Sequence, residues 1–154
     1  GAMIFRILTA LVLCGFALAA QAADVDGLVI KESPYSASRT IDRLEQALTD
    51  NGITIVTRWS HSDRARDLDR ALRPTELILF GNPRLGTNFF TSEQTAGIDL
   101  PLKALAWEDE DGQVWLGYND PGYIAERHGI DNRDETVRKV TGALDNLTDA
   151  AIAR

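Results

Sequence analysis

Two segments of the chain repeat apolar residues at helical spacing, and each needs an apolar surface to pack against. Within residues 36–52 the apolar face consists of Ile41, Leu44 and Leu48, and Asn51-Gly52 closes the helix. A final helix is predicted to begin near Asp131, with its apolar face formed by Val137, Val140, Leu144 and Leu147. Neither helix is apolar all round, so both must lie on the surface of a shared core.

Short apolar segments of strand pattern occupy much of the remaining chain, at residues 27–33, 53–59, 75–80, 100–107 and 113–118. The last two flank the acidic turn at residues 108–112, which predicts a hairpin. Short helices are predicted at residues 62–72 and 121–129, and residues 88–99 are expected to be irregular. Two main helices and these strands predict an α+β two-layer sandwich on a largely antiparallel, four- to five-stranded sheet.

The first 22 residues have the pattern of a secretory signal peptide. Gly1-Ala2 before Met3 is typical of the remnant of a cleaved tag, and Arg6 precedes a 14-residue apolar run, Ile7–Ala20. That run is shorter than the roughly 18 residues expected of a membrane span, and Ala20-Gln21-Ala22 fits a cleavage site. Cys14 follows Leu13, which argues against a lipid anchor, although a retained anchor stays open as the alternative. We expect a single domain, residues 23–154, in the periplasm of a bacterium or secreted from it.

Removal of that segment leaves no cysteine, 15 basic residues and 23 acidic residues, for a net charge of −8. Disulfides and thiolate sites are then excluded. An acidic chain without a basic cluster also lacks the electrostatic surface that binds nucleic acid.

The stretch ELILFGNPRLGT, residues 76–87, has the glycine spacing of a phosphate-binding P-loop. Position 87 is threonine where the P-loop has lysine, and Pro83 removes one backbone N–H group from the loop. We therefore expect residues 81–87 to be the turn by which a strand leaves the sheet, and we expect no nucleotide to bind there.

Several ordered motifs resemble those of the DUF302 family: RPTELILFGNPRLGT, IDLPLKALAW followed by WLGYNDPGY, and the earlier GITIVTRWSHSDRA. The resemblance covers roughly residues 27–130. It implies an α+β sandwich like that of the TATA-binding protein, often dimeric, and it implies no activity. Phe89-Phe90 departs from the aliphatic or methionine pair that is more usual in the family, which affects the shape of any pocket there.

The residues that could carry chemistry are few. His61, with Asp63, is the candidate metal ligand, and His61 flanked by Ser60 and Ser62 is the candidate catalytic group of a hydrolase. A zinc site needs at least three protein ligands and the processed chain has two histidines, so no metal or other cofactor is predicted. The candidate ligand-binding residues are His61, Asn82, Asp99, Tyr118 and Asn119, with a pocket shared by His61, Asn82 and Tyr118 as the sharpest hypothesis.

These observations favour an exported module that binds a small molecule or a protein. The alternatives are a hydrolase-like enzyme that uses His61 and a histidine-based metal or haem carrier. A homodimer is expected, through the apolar face of the last helix, the sheet edge or the pair Phe89-Phe90.

We expect processing after Ala22, because the apolar run and the small residues at positions 20 and 22 fit signal peptidase. N-terminal sequencing of material exported by the native host should begin at Ala23. An intact Met3 in the membrane fraction would contradict the signal-peptide interpretation.

Overall fold

The computed structural model describes residues 21–154 continuously and, before them, only positions 1, 3, 4, 12, 14 and 15. Most of the predicted signal peptide lies outside the described residues, as does the side chain of Phe90. Within the described residues, no helix combines the length and apolar character needed to cross a membrane.

Five strands form one antiparallel sheet in the order β1-β5-β4-β3-β2. Their bounds are β1 Leu28–Ser33, β2 Thr54–Ser60, β3 Thr75–Gly81, β4 Leu102–Glu108 and β5 Val114–Asn119. The five helices are α1 Ala37–Asp50, α2 His61–Asp67, α3 Pro83–Ser92, α4 Pro121–Arg127 and α5 Asp134–Ile152, and a 3₁₀ turn spans Gln94–Ile98. The predicted α+β sandwich with an antiparallel sheet is confirmed.

The two long helices, α1 and α5, pack side by side on one face of the sheet. Ile41, Leu44 and Leu48 of α1 are fully buried there. They meet the inward-facing side chains of the central strands, namely Ile78, Phe80, Ala104, Ala106, Leu116 and Tyr118. At roughly 1.5–3 kcal/mol for each large apolar side chain removed from water, this layer supplies the main stabilisation of the fold.

Helix α5 also uses its predicted apolar face within its own subunit. Val140, Leu144 and Leu147 lie in the core against α1 and the sheet, and Lys31 of β1 is bonded to Asp145 and Asp149 of α5 at 2.7 Å each. Burial would lower the pKa of Lys31, but these two hydrogen bonds outweigh it and leave the pKa raised. The seam of α5 is therefore unavailable as a dimer surface, which corrects one of the expected interfaces.

The opposite face of the sheet carries a row of apolar residues that crosses all five strands. Trp59, Leu77, Leu105, Gly117 and Ile30 are successive cross-strand partners. Leu77, Leu105 and Ile30 are partly exposed and Trp59 is 48% exposed, whereas their inward-facing neighbours Ile78 and Ala104 are 1% exposed or less. We call this row and its apolar neighbours Leu79 and Trp107 the open face.

The expected irregular stretch at residues 88–99 is wrong, because the chain forms α3 and then the 3₁₀ turn. Leu85 and Phe89, four residues apart, are the helical signal in this segment, since both pack into apolar clusters. Gly86, Thr87 and Thr91 have low helix propensity, which hides that signal in the sequence.

Candidate functional site

A cleft of ≈ 750 Å³ opens where the helical layer separates from the sheet. It lies between the C-terminal end of α1, the start of β2, the end of β3, α3 and α5. Most of its wall is apolar: Ala47, Ile53, Val56, Phe80, Pro83, Leu85, Phe89, Leu100, Pro101, Leu102, Val140, Ala143, Leu144, Leu147 and Ala150. This size and lining are those of small-molecule binding sites in proteins.

The junction between β3 and α3 creates this opening. Asn82 follows the last residue of β3 and caps α3, since its Oδ1 accepts a hydrogen bond from the Arg84 N–H at 3.0 Å. Pro83 occupies the first turn of the helix, where its missing N–H costs nothing. The chain therefore turns directly from the sheet into α3.

Helix α3 is held away from α5 rather than packed flush against it. Phe89 is 3% exposed in a second apolar cluster with Ala96, Ala125 and Ile130, beyond the main core. At the far end, Arg133 Nε donates to the Asn88 carbonyl at 3.0 Å and to Ser92 Oγ at 2.8 Å. These contacts fix the C-terminal half of α3, and the cleft lies beside its N-terminal half, where Pro83, Leu85 and Thr87 line the wall.

Five polar side chains join the apolar wall: Asn51, Thr54, Asn82, Thr87 and Asn146. The described residues that line the cleft include no Asp, Glu, Lys, Arg or His. Asn51 donates from Nδ2 to the Ala47 carbonyl at 2.8 Å, which leaves its Oδ1 available as an acceptor. Asn82 uses its Oδ1 as the cap of α3, which leaves its Nδ2 group available as a donor.

The P-loop resemblance does not extend to the backbone. A P-loop needs a loop of free N–H groups between strand and helix, but here α3 begins two residues after β3 ends. Thr87 lies inside that helix and donates to the Pro83 carbonyl at 2.7 Å. Residues 81–87 are thus a strand exit followed at once by a helix, and the expected lack of nucleotide binding stays a prediction.

His61 is the first residue of α2 and its side chain is exposed. The neighbouring serines are engaged locally, since Ser60 Oγ accepts from the Asp63 N–H at 3.1 Å and Ser62 Oγ from the Thr75 N–H at 3.1 Å. Asp63 pairs with Arg66 at 2.7 Å. The described residues contain no cluster of three or more side chains able to hold a metal ion.

The structure does not bring His61, Asn82 and Tyr118 together in one pocket. Asn82 follows the end of β3 that pairs with Thr54, whereas His61 follows Ser60, at the other end of β2. Six residues of strand place them about 20 Å apart. The sequence could not reveal this, because it does not specify that β2 and β3 are neighbours in the sheet.

Tyr118 and Asn119 are adjacent in β5 and project from opposite faces of the sheet. Tyr118 is 4% exposed in the main core, where burial raises the pKa of its hydroxyl. Asn119 pairs with Leu28 on the side of the open face. Of the predicted ligand-binding residues, only Asn82 lines the cleft.

Asp99 belongs to a separate polar cluster with a histidine to which the sequence assigned no role. His128 Nε2 lies 2.5 Å from Asp99 Oδ2 and its Nδ1 lies 2.9 Å from Thr95 Oγ1, while Arg127 reaches Asp99 at 2.9 and 3.0 Å. The carboxylate accepts, so Nε2 carries a proton. Partial burial would raise the pKa of Asp99. The hydrogen bond to His128 and the charge of Arg127 have the larger opposite effect, so the pKa of Asp99 is lowered.

This cluster joins the 3₁₀ turn to α4 across 28 to 33 residues of sequence. The His128 side chain is 7% exposed. No local spacing relates Asp99 to His128, so the pair could be found only from the tertiary structure. It connects two short elements around the second apolar cluster.

The model of the family described as "Domain of unknown function DUF302" matches residues 29–147. A crystal structure of an uncharacterized conserved DUF302 protein from Bacillus stearothermophilus superposes with a TM-score of 0.73 at 16% identity, over 82% of this chain and 99% of that one. At that identity the similarity establishes the fold alone.

Three curated Brucella proteins are 45% identical over 104 residues, which is 68% of this chain. Those of Brucella suis and Brucella abortus are named fluoride-specific ion channel FluC 1, and that of Brucella melitensis is named fluoride-specific ion channel FluC 2. The matched part is 41% of the Brucella suis protein and 38% of the other two. The chain thus spans about two fifths of the length of these relatives.

Asp99→Asn should destabilise the fold by about 1–3 kcal/mol at neutral pH, because it removes the charge that His128 and Arg127 bond. A carboxyl group whose pKa is lowered by folding stabilises the protein above its ordinary value of 3.8. The difference between wild type and variant should therefore be full at pH 5–7 and shrink as the pH falls below that value. Urea unfolding at several pH values measures it, with exposed Asp131→Asn as the control.

Proposed function

We propose that this chain, which belongs to the DUF302 family, is an exported binding module that holds a small apolar molecule in the cleft. The family description assigns no activity, so the proposal depends on the site itself. The cleft, rather than the residues around His61, is the binding site of this proposal.

The observation that carries the proposal is an apolar cavity at a junction of several rigid elements. A well-packed domain leaves few voids larger than a water molecule. A cleft of ≈ 750 Å³ lined by leucine, valine, isoleucine and phenylalanine side chains leaves much apolar surface accessible. An apolar ligand would remove that surface from water at about 25 cal/mol for each Å².

The other candidate functions have less support. An exposed His61 without a nucleophile or a carboxylate bonded to its ring lacks the constellation of a hydrolase among the described residues. A haem or metal carrier would need ligands that point into a cavity, and the described residues of the cleft wall include no histidine. The Brucella relatives carry the name of a fluoride channel, but a small hydrated anion does not suit an apolar wall whose described residues include no cation.

The neutral fluorescent probe N-phenyl-1-naphthylamine should bind the purified protein in the cleft. Ala143 is exposed on α5 at the cleft wall, so Ala143→Trp should fill the cavity and weaken probe binding by at least about tenfold. Thr141→Trp is the matched control, because it adds the same side chain to an exposed site about 200° around the same helix. Fluorescence titration measures both.

Equal loss of binding in the two variants, or no binding to the wild type, would contradict the cleft as a ligand site. Far-ultraviolet circular dichroism of each variant establishes that α5 remains intact.

We further propose that two copies associate through the open face. The packing of α5 in its own core removes one of the alternatives, and Phe89 is buried inside the subunit. The open face remains as an apolar surface with partly exposed leucine and isoleucine side chains, and Trp59 is exposed at its β2 edge.

The size of the open face suits a small two-fold dimer. Five strands at about 4.8 Å spacing are about 24 Å wide, and six residues of strand are about 20 Å long. Two such faces bury on the order of 1,000 Å², at the lower end of specific interfaces. Two sheets that pack face to face also match each other in twist, which favours a second copy of the same sheet as the partner.

Light scattering over a dilution series should report twice the chain mass for the wild type. Leu105→Lys should produce a monomer, because it places a charge at the centre of the open face, where a second copy would leave it without water. Leu68→Lys is the control, since Leu68 follows α2, outside the strands, and is 74% exposed. A wild type of single-chain mass at every concentration would reject the dimer.

A further inference from the structure

We infer that the ligand of the cleft is an uncharged amphiphile, with a long or bulky apolar body and a single neutral polar group such as a hydroxyl, ester, ketone or amide. This inference rests on the proposed function and specifies the chemical class of the ligand. It concerns the charge and the hydrogen-bonding groups of the cleft wall.

The first support is the lack of any ionisable side chain in the described wall of the cleft. A quarter of the residues of this chain are charged, so composition does not explain the absence. A carboxylate or ammonium group that enters such a cleft loses water and gains no counter-charge, which is strongly unfavourable. The net charge of −7 adds a repulsive field for any anionic ligand.

The second support is a pair of uncommitted amide groups in the wall of the cleft, near the paired ends of β2 and β3. Asn51 at the end of α1 offers an acceptor oxygen, and Asn82 at the start of α3 offers donor N–H groups. An alcohol can use both, and an ester or ketone can use the donor. Asn146 on α5 adds a third amide to the wall.

The shape of the wall agrees with a body that is mainly hydrocarbon. Phe80, Leu85 and Phe89 approach from the sheet and α3, and Leu144 and Leu147 approach from α5. Apolar contacts on both sides favour a flexible chain or a fused-ring body over a polar solute such as a sugar or an amino acid.

Displacement of N-phenyl-1-naphthylamine at pH 8 tests the inference with four ligands of one chain length. These are dodecan-1-ol, methyl dodecanoate, dodecanoate and dodecylammonium, each below its micelle concentration. We expect the two neutral ligands to displace the probe at concentrations at least about tenfold lower than either ion. Tighter or equal binding of dodecanoate or dodecylammonium overturns the inference, as does displacement by none of the four.

A charge placed in the cleft provides the complementary test. Asn146→Lys should strengthen the binding of the anion. Dodecanoate should displace the probe from this variant at a concentration at least about tenfold lower than it needs with the wild type. Thr141→Lys adds the same charge to the same helix outside the cleft and should leave the order of the four ligands unchanged. An equal gain for dodecanoate in both variants would show a general effect of net charge and would overturn the inference.

The failure of this inference is distinguishable from that of the proposed function. If the probe binds and Ala143→Trp blocks it while an ionised ligand binds best, the cleft is a binding site and only the ligand class is wrong. If Ala143→Trp and Thr141→Trp lower probe affinity equally, the site itself is wrong.

Discussion

The packing of α1 and α5 against one face of the sheet is the main source of stability in this domain. Ile41, Leu44 and Leu48 are fully buried between the two helices and the central strands. Every buried side-chain nitrogen or oxygen within the described residues has a hydrogen-bond partner, so this core carries no unpaired polar group. Since the domain has no disulfide after residue 22, apolar burial must supply its stability.

Charged side chains at both edges of the sheet form ion pairs with the two long helices. Lys31 ties edge strand β1 to α5, and Arg58 ties edge strand β2 to Asp42 and Glu45 of α1 and to Glu76 of β3. Partial burial would lower the pKa of Arg58, but the hydrogen bonds that it donates to these three carboxylates keep that pKa raised. These ion pairs hold α5 against β1 and α1 against β2 at the two edges of the sheet.

The cleft follows from the way the same layer ends. The helices cover the sheet fully at its centre, but α3 leaves β3 through Asn82-Pro83 and is anchored elsewhere, by Phe89 in the second apolar cluster and by Arg133. A gap therefore remains between α3 and α5, with apolar walls because both helices direct apolar side chains toward the core. Two-layer packing also leaves the other sheet face open, which gives the molecule two separate apolar surfaces.

The class of fold and most of its helices and strands follow from local patterns in the sequence. The spacing of Ile41, Leu44 and Leu48 defines α1, and the alternation around Ile55 and Trp59 defines β2, because these patterns arise from the local periods of helix and strand. The local pattern does not predict α3, because Gly86, Thr87 and Thr91 have low helix propensity and the packing of Leu85 and Phe89 is tertiary. The DUF302 motifs in the sequence indicate the family, and the family match confirms it.

Which of the polar residues come into contact depends on the tertiary structure. His61 and Asn82 lie at opposite ends of the β2–β3 pair, Tyr118 and Asn119 lie on opposite faces of β5, and Asp99 bonds to His128 from another element. Strand order, register and the path of α3 set these positions, and they depend on contacts between segments far apart in the chain. The cleft is a cavity among five such segments, so no local pattern in the sequence encodes it.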